Sequence, residues 1–268
     1  KNLAPSCCTA VAPGMVVNTS PPRVIAARKT IIELLLSDHS MDCLTCQKNL
    51  NCELQELAST YGVTNLKYTG SKSVAMKELK NPSIVRDTSK CILCRRCEAV
   101  CSQVQQVGAI GPVNRGFDTT ISTAFFEELN NSTCTLCGQC INVCPTGALM
   151  ERDNTIDVLN AIGNNDKYVV VQTAPAVRAA LGEEFGIKEG AVTGKMVEAL
   201  RELGFDKVYD TDFAADLTIM EEATEFLERY KSGKNLPMIT SCCPGWINFI
   251  EKHYGKLLNL PSTCKSPQ

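Results

Sequence analysis

Histidine is scarce in this 268-residue chain, with His39 and His253 the only two, and no charge of one sign dominates, the net charge being −2. That balance leaves no basic footprint for nucleic acid. Long apolar runs are missing as well. The most apolar helical stretch, Ile31-Ile32 and Leu34-Leu35-Leu36, is interrupted by Glu33. It falls far short of the ~20 residues that span a bilayer. The first residues lack the charged-then-apolar pattern of a secretory leader. What is abundant is cysteine: sixteen residues, most of them at metal-ligand spacings, in a chain too long to be a stapled mini-protein. Those spacings point to metal–thiolate chemistry rather than disulfides. Such thiolates persist best in a reducing compartment, which implies the cytoplasm.

Two runs carry the strongest signal, Cys91-x2-Cys94-x2-Cys97-x3-Cys101 and Cys134-x2-Cys137-x2-Cys140-x3-Cys144-Pro145. Each sets thiolates on a tight loop and the start of a helix, the arrangement that wraps a cubane iron–sulfur cluster. In the doubled form, three cysteines of one run hold one cluster and the fourth reaches across to the other. Cys91, Cys94, Cys97 and Cys144 therefore make one [4Fe–4S] ligand set, and Cys134, Cys137, Cys140 and Cys101 the second. Pro145 fits the bacterial ferredoxin pattern, whereas Ser102 follows Cys101. Sets of four cysteines also bind zinc, but zinc sites rarely use three cysteines at x2, x2 spacing with a fourth at x3. The runs repeat at an offset of 43 residues, as one small module duplicated around an insertion.

A third group is His39-x3-Cys43-x2-Cys46-x5-Cys52. Neutral imidazole is a competent iron ligand, and replacing a thiolate with it removes a negative charge and raises the cluster potential. The competing reading of His39 is a helix cap near Asp38. Three cysteines in need of a fourth ligand favour iron. Cys7 and Cys8 have two readings: free buried thiols, or the last ligand of a cluster whose other ligands precede Lys1. Cys264 reads as a core thiol.

Along the chain, residues 1–20 are broken by Pro5, Pro13 and Gly14, with Val16-Val17 as the edge of a small sheet. Helices are expected over 23–38 and 53–61. After residue 167 the composition changes. Tyr168-Val169-Val170-Val171-Gln172 reads as a strand buried on both faces. Helices over 175–185 and 193–203 follow, then a strand over 207–210, a helix over 215–230, a strand over 237–240 and a helix over 246–258. This alternation makes an α/β domain with a mainly parallel sheet, where function gathers as strands lead into helices. The strand ending at Thr240 runs straight into Ser241-Cys242-Cys243-Pro244. Adjacent cysteines rarely share one cluster, because their side chains diverge. The pair reads either as one ligand and one proton-carrying thiol, or as two buried thiols.

The His39 group, the doubled run and Thr240-Ser241-Cys242-Cys243-Pro244-Gly245-Trp246 together resemble the [FeFe]-hydrogenases. The likeness is to the multi-cluster type, particularly the catalytic subunits of clostridial and NAD(P)-linked enzymes, and runs the whole length. It implies an α+β multi-domain fold in four parts. These are the end of a plant-type [2Fe–2S] domain over 1–20, a [4Fe–4S] domain held by one histidine and three cysteines over 21–80, a two-[4Fe–4S] ferredoxin domain over 81–152, and the first part of the catalytic domain over 165–268.

The resemblance also implies roles. Cys243 matches the first thiolate of the cubane half of the active-site H-cluster, and Cys242 the thiol passing protons to its di-iron half. Glu222, Ser262 and Glu225 match residues that carry the proton path outward. From the residues alone, Glu222 and Glu225 beside Glu221 make a solvated acidic helix face. Ala174, Pro175 and Ser266 match residues lining the di-iron pocket, and Cys7 the last [2Fe–2S] ligand. The implied activity is reversible reduction of protons to H2, with electrons from ferredoxin or a flavin- and NAD(P)-linked diaphorase subunit. Two further motifs of the family, carrying the other cubane ligands, have no counterpart before Gln268. The chain therefore reads as a piece of a longer protein, unable to assemble an H-cluster by itself. The competing class is a non-catalytic electron-transfer or scaffold protein. Complex I subunits, however, lack the run at 242–246, and the hydrogenase-like assembly factor lacks the His39 cluster.

Overall fold

A computed structural model describes residues 2–187 and 190–268. The chain forms two compact units, one from Lys1–Cys134 with Gly138–Arg152, the other from Thr135–Cys137 with Asp153–Gln268.

In the first unit, helix α1 (Pro22–Asp38) begins with a proline at its first position, where the fixed φ suits the helix and no N–H is lost. Helix α2 covers Glu53–Thr60. Ile32 and Leu36 of α1 and Leu54 of α2 form a buried core, and burying each stabilises by about 1.5–3 kcal/mol. Cys52 and Ile92 pack against this core. Ile92 lies between Cys91 and Cys94, so one apolar cluster packs against members of two cysteine groups.

The remainder of this unit holds strands β1 (Lys77–Glu78) and β2 (Ile84–Asp87), helix α3 (Arg96–Ala99), strands β3 (Gly111–Val113) and β4 (Thr120–Ser122), helix α4 (Gln139–Asn142) and strand β5 (Leu149–Glu151). An antiparallel sheet runs β1-β2-β5, with Val85 opposite Met150. The β3–β4 hairpin is the insertion separating the two cysteine runs.

Backbone conformation repeats with the cysteines. Leu93 and Leu136 take φ of 55° and 57°, and Arg95 and Gly138 take 60° and 75°. Each pair is offset by the same 43 residues that separate the runs. Left-handed residues in such loops turn successive N–H groups toward one side, a concavity that suits an anionic cluster. Holding leucine and arginine there costs strain, so the shared pattern marks a demanding local geometry made twice.

The second unit contains α5 (Thr155–Ile162), β6 (Val170–Thr173), α6 (Pro175–Glu184), α7 (Thr193–Glu202), β7 (Lys207–Asp210), α8 (Thr211–Ser232) and α9 (Pro244–His253). Strands β6 and β7 pair in parallel, Val171 opposite Val208. Asp210 caps α8 by accepting from Asp212 N–H at 3.0 Å, so that helix starts four residues before the expected 215. Gly233, at φ 68°, ends it.

Three expected features differ. Val16 and Val17 are 81% and 68% exposed and form no strand, because no strand among the described residues pairs with them. Residues 237–240 make only an isolated parallel bridge, Ile239 to Pro261; Pro237 has no N–H to offer a ladder. The strand at 168–172 begins at Val170, and Val170 is 51% exposed. A continuous apolar run implies cover on both faces, and β6 has only β7 beside it.

Candidate metal and proton-transfer sites

His39 is the residue just past the C-terminus of α1, and its backbone N–H bonds Leu36. The capping position is thus real, yet the imidazole does not serve it. The ring is buried and its Nδ1 has no partner in the protein. Burial, and then Lys72 and Lys90, push His39 below its ordinary value, which favours the neutral, ligating form. Cys43 sits on a short 3-10 turn (Cys43–Thr45) and Cys52 is the N-cap of α2. His39, Cys43, Cys46 and Cys52 line one pocket, together with Lys90 and Gly147. A Cβ on Gly147 would lie 2.6 Å from Cys46 Sγ, so this glycine leaves the room the thiol occupies. Three thiols beside an imidazole whose Nδ1 is orphaned fit a metal cluster.

Cys91, Cys94, Cys97 and Cys144 line a second pocket, walled by Ile92, Ile110, Ile121 and Leu149. These are the four thiols that the doubled run pairs across its copies. Burial, then the Cys91 and Cys144 thiols, push Cys97 up to about 12, and burial raises Cys91 as well. Only a strongly cationic centre holds such thiols ionised together, which is what iron supplies. Among the described residues, no three His, Cys, Asp or Glu side chains converge on a site for a single ion. A cubane spreads its ligands over separate irons and takes a wider cage.

The other set is reached one residue at a time. Cys101 lies on a π-helical turn, Val100–Val104, that extends α3, and Ala109 N–H approaches its sulfur at 3.3 Å. Cys134 precedes the loop whose left-handed residues match the first run, and Cys140 lies on α4. Cys137 is exposed and packs with the second unit, where Asn248 Nδ2 donates to Thr135 O at 3.2 Å. A Cβ on Gly245 would stand 3.7 Å from Cys137 Cβ and 3.9 Å from Cys243 Sγ. Cys7 and Cys8 are both exposed, which removes the buried-thiol reading, and their sulfurs lie 3.9 Å apart. Cys264 is half-buried.

In the second unit, Cys242 and Cys243 are exposed rather than buried, and Cys243 is the N-cap of α9. Buried Ser241 just before them is held from two sides. Its N–H donates to Glu222 Oε1 at 3.4 Å, and its hydroxyl donates to the Cys264 carbonyl. Glu225, three residues on from Glu222, accepts from the Ser262 hydroxyl at 3.0 Å, Thr263 N–H at 3.0 Å and Arg229 Nη2 at 2.5 Å. Burial pushes the Glu225 carboxyl up, but these donors outweigh it and hold it below the usual carboxylate range. Glu221 is exposed while Glu222 and Glu225 turn inward, so the solvated-face reading suits Glu221 alone.

Ala174 caps α6 and Pro175 opens it, at the end of β6 where parallel strands place function. Ser266 comes to the same strand through its neighbour, as Gln172 Nε2 donates to Pro267 O at 2.7 Å. Gly147, Lys90 and Arg86, which line the thiol pockets, were not singled out from the sequence.

Residues 167–268 match the family described as "Iron only hydrogenase large subunit, C-terminal domain". Residues 28–67 match an "NADH-ubiquinone oxidoreductase-G iron-sulfur binding region", and residues 90–148 a "4Fe-4S dicluster domain". The chain is 53% identical, over its full length, to NADP-reducing hydrogenase subunit HndD of Solidesulfovibrio fructosivorans, of which it covers 47%. Iron hydrogenase 1 of Clostridium pasteurianum is 39% identical across 99% of the chain and is likewise covered to 47%. The chain thus spans about half the length of the curated relatives it matches. Its fold resembles a chain in a crystal structure of an NAD+-reducing [NiFe]-hydrogenase, with a TM-score of 0.51 at 24% identity, covering 55% of this chain and 62% of that one. At that identity the likeness speaks to fold alone.

Proposed function

Because this chain is related along its whole length to iron-only hydrogenase subunits, we propose that the whole protein reversibly reduces two protons to H2. The observation that carries the proposal is the pairing of Glu225 with Ser262 at 3.0 Å, with Glu222 on the same helix reaching the residue before Cys242. The bound clusters store and pass electrons and supply the metal centre at which H2 forms. The protein's own contribution is to hold ligands and move protons. His39, Cys43, Cys46 and Cys52 would hold one [4Fe–4S] cluster, Cys91, Cys94, Cys97 and Cys144 a second, and Cys134, Cys137, Cys140 and Cys101 a third. Cys243 would supply one thiolate to the H-cluster of the whole protein, and Cys7 the last ligand of a [2Fe–2S] centre. Ala174, Pro175 and Ser266 would shape the pocket around the H-cluster.

Cys242 would carry the proton at its Sγ. A thiol beside a reacting centre can both give and take a proton. Ser241 positions Cys242 through Glu222, and Ser262 and Glu225 continue the path. Against its burial, the Thr263 N–H, the Ser262 hydroxyl and Arg229 hold the Glu225 carboxyl below the usual carboxylate range. No helix here is long and apolar enough to cross a membrane, among the described residues. The electron partner we propose is ferredoxin or a flavin- and NAD(P)-linked diaphorase subunit, in the cytoplasm.

The whole protein, given a chemically reduced viologen, is expected to evolve H2. Full iron content without H2 overturns the catalytic reading in favour of an electron relay. Cys242→Ala is expected to abolish most turnover with iron unchanged; loss of iron would make Cys242 a ligand instead.

A further inference from the structure

Two arginines, Arg86 and Arg95, border the thiol pocket of Cys91, Cys94, Cys97 and Cys144, and of the two only Arg86 is buried. Arg86, on β2, is 3% exposed and lines the cavity of Cys91, Cys94, Cys97 and Cys144. Its guanidinium is tied from the other side. Glu78 Oε2 lies 2.9 Å from Nη2, without hydrogen-bond alignment, and Nη1 donates to Ser122 Oγ at 3.3 Å. Glu78 in turn accepts from Leu129 N–H at 2.8 Å and is not part of the pocket wall. The ion pair is therefore oriented, with its cation toward the thiols and its carboxylate behind.

The Nε–H of Arg86 is buried and has no partner in the protein. An unpaired buried donor on a charged group is costly, and the pocket it borders is lined by sulfur. Sulfur ligands and sulfides accept hydrogen bonds, and such bonds stabilise the more negative, reduced state of a cluster. Resting on the cluster assignment proposed above, we infer that Arg86 donates its Nε–H to a sulfur of the Cys91–Cys94–Cys97–Cys144 cluster and raises that cluster's reduction potential. Arg86 is a positioning and tuning residue and not a ligand. Among the described residues, no strand with a buried arginine precedes the second run as β2 precedes the first. The inference therefore predicts that the two ferredoxin-type clusters differ in potential.

The test is an EPR-monitored redox titration of the whole protein with clusters assembled, following the signal that Cys97→Ala removes. The double variant Arg86→Met with Glu78→Gln strands no buried charge and keeps an acceptor for Leu129. It is expected to lower the potential enough to change the reduction equilibrium about tenfold, or about 59 mV for one electron. Glu78→Gln alone leaves the cation less compensated and is expected to shift the potential upward. Arg86→Lys keeps the charge but loses the Nε–H, and is expected to fall between the double variant and the unsubstituted protein. An unmoved potential in the double variant at full signal intensity overturns the inference. An unmoved potential in Arg86→Lys overturns the hydrogen bond. If the unsubstituted protein has no Cys97-dependent signal, the cluster assignment itself fails.

Discussion

The backbone N–H of Glu53 donates to the carbonyl oxygen of Pro145 across 3.1 Å. Glu53 follows Cys52, a candidate ligand of the histidine-bearing pocket, and Pro145 follows Cys144, a candidate ligand of the neighbouring thiol pocket. The two sites are thus joined by a few covalent bonds and a single hydrogen bond. That is a short bonded route for an electron.

Glu53→Pro tests this route cleanly. Glu53 is the first residue of α2, where proline is tolerated. Cys52 already has the extended conformation that precedes proline, with φ −124° and ψ 119°. The substitution removes the N–H at a cost of about 1 kcal/mol. It also removes the Glu53–Arg96 ion pair, so Glu53→Ala, which keeps the N–H, is the control. Electron transfer between the two clusters, followed by rapid-mixing EPR, is expected to slow several-fold in Glu53→Pro and not in Glu53→Ala.

Gly147→Ala is expected to empty the histidine-bearing site. The added Cβ would meet Cys46 Sγ at 2.6 Å, and a cysteine side chain is too short to swing clear while still ligating. Iron analysis is expected to show the loss of one cluster's iron, with the Cys97-dependent EPR signal retained. Wild-type iron content would place Cys46 outside the ligand set.

His39→Cys is expected to keep the cluster and lower its potential, since a thiolate restores the negative charge that imidazole lacks. The unsubstituted site has a pH signature too. Burial and then Lys72 and Lys90 depress His39, so it stays neutral to a lower pH than an ordinary imidazole. Cluster loading is therefore expected to decline only below the ordinary histidine value near 6.5. Loading that fell around pH 6.5 would contradict the burial effect.

Glu225→Gln is expected to destabilise the second unit in a pH-dependent way. A carboxyl whose folded pKa is depressed stabilises above its unfolded value, near 4.3, and loses that contribution as pH falls through the folded pKa. The difference in Tm between the two proteins is expected to be full at neutral pH and to shrink in acid below about pH 4. A difference that grew on acidification would reverse the sign of the shift.

Much of the candidate site was legible because its chemistry is written at short range. A cysteine repeated every three residues brings its loop conformation with it, and the matched φ values of Leu93 and Leu136 are that conformation seen twice. The helices at 22–38, 53–60 and 193–202 stood close to their expected limits, since proline starts and apolar periodicity act locally. The strands were harder. Val16-Val17 and 237–240 have strand-like residues, but a strand exists only where a partner ladder meets it, and that is decided by distant chain.

By itself, the amino-acid sequence determined which side chains are candidate ligands and how they are grouped along the chain. Tertiary structure decided the environment each group receives. Packing of β1 on β2 buried Arg86 against Glu78 and turned it toward thiols some residues away. Packing also set Gly147 against Cys46, and drew Ser262 to Glu225 across 37 positions of sequence. The reason is one of range. Ligand spacing is enforced by a few covalent bonds, whereas the charge, hydrogen bonds and space around a ligand come from residues that only long-range packing brings near.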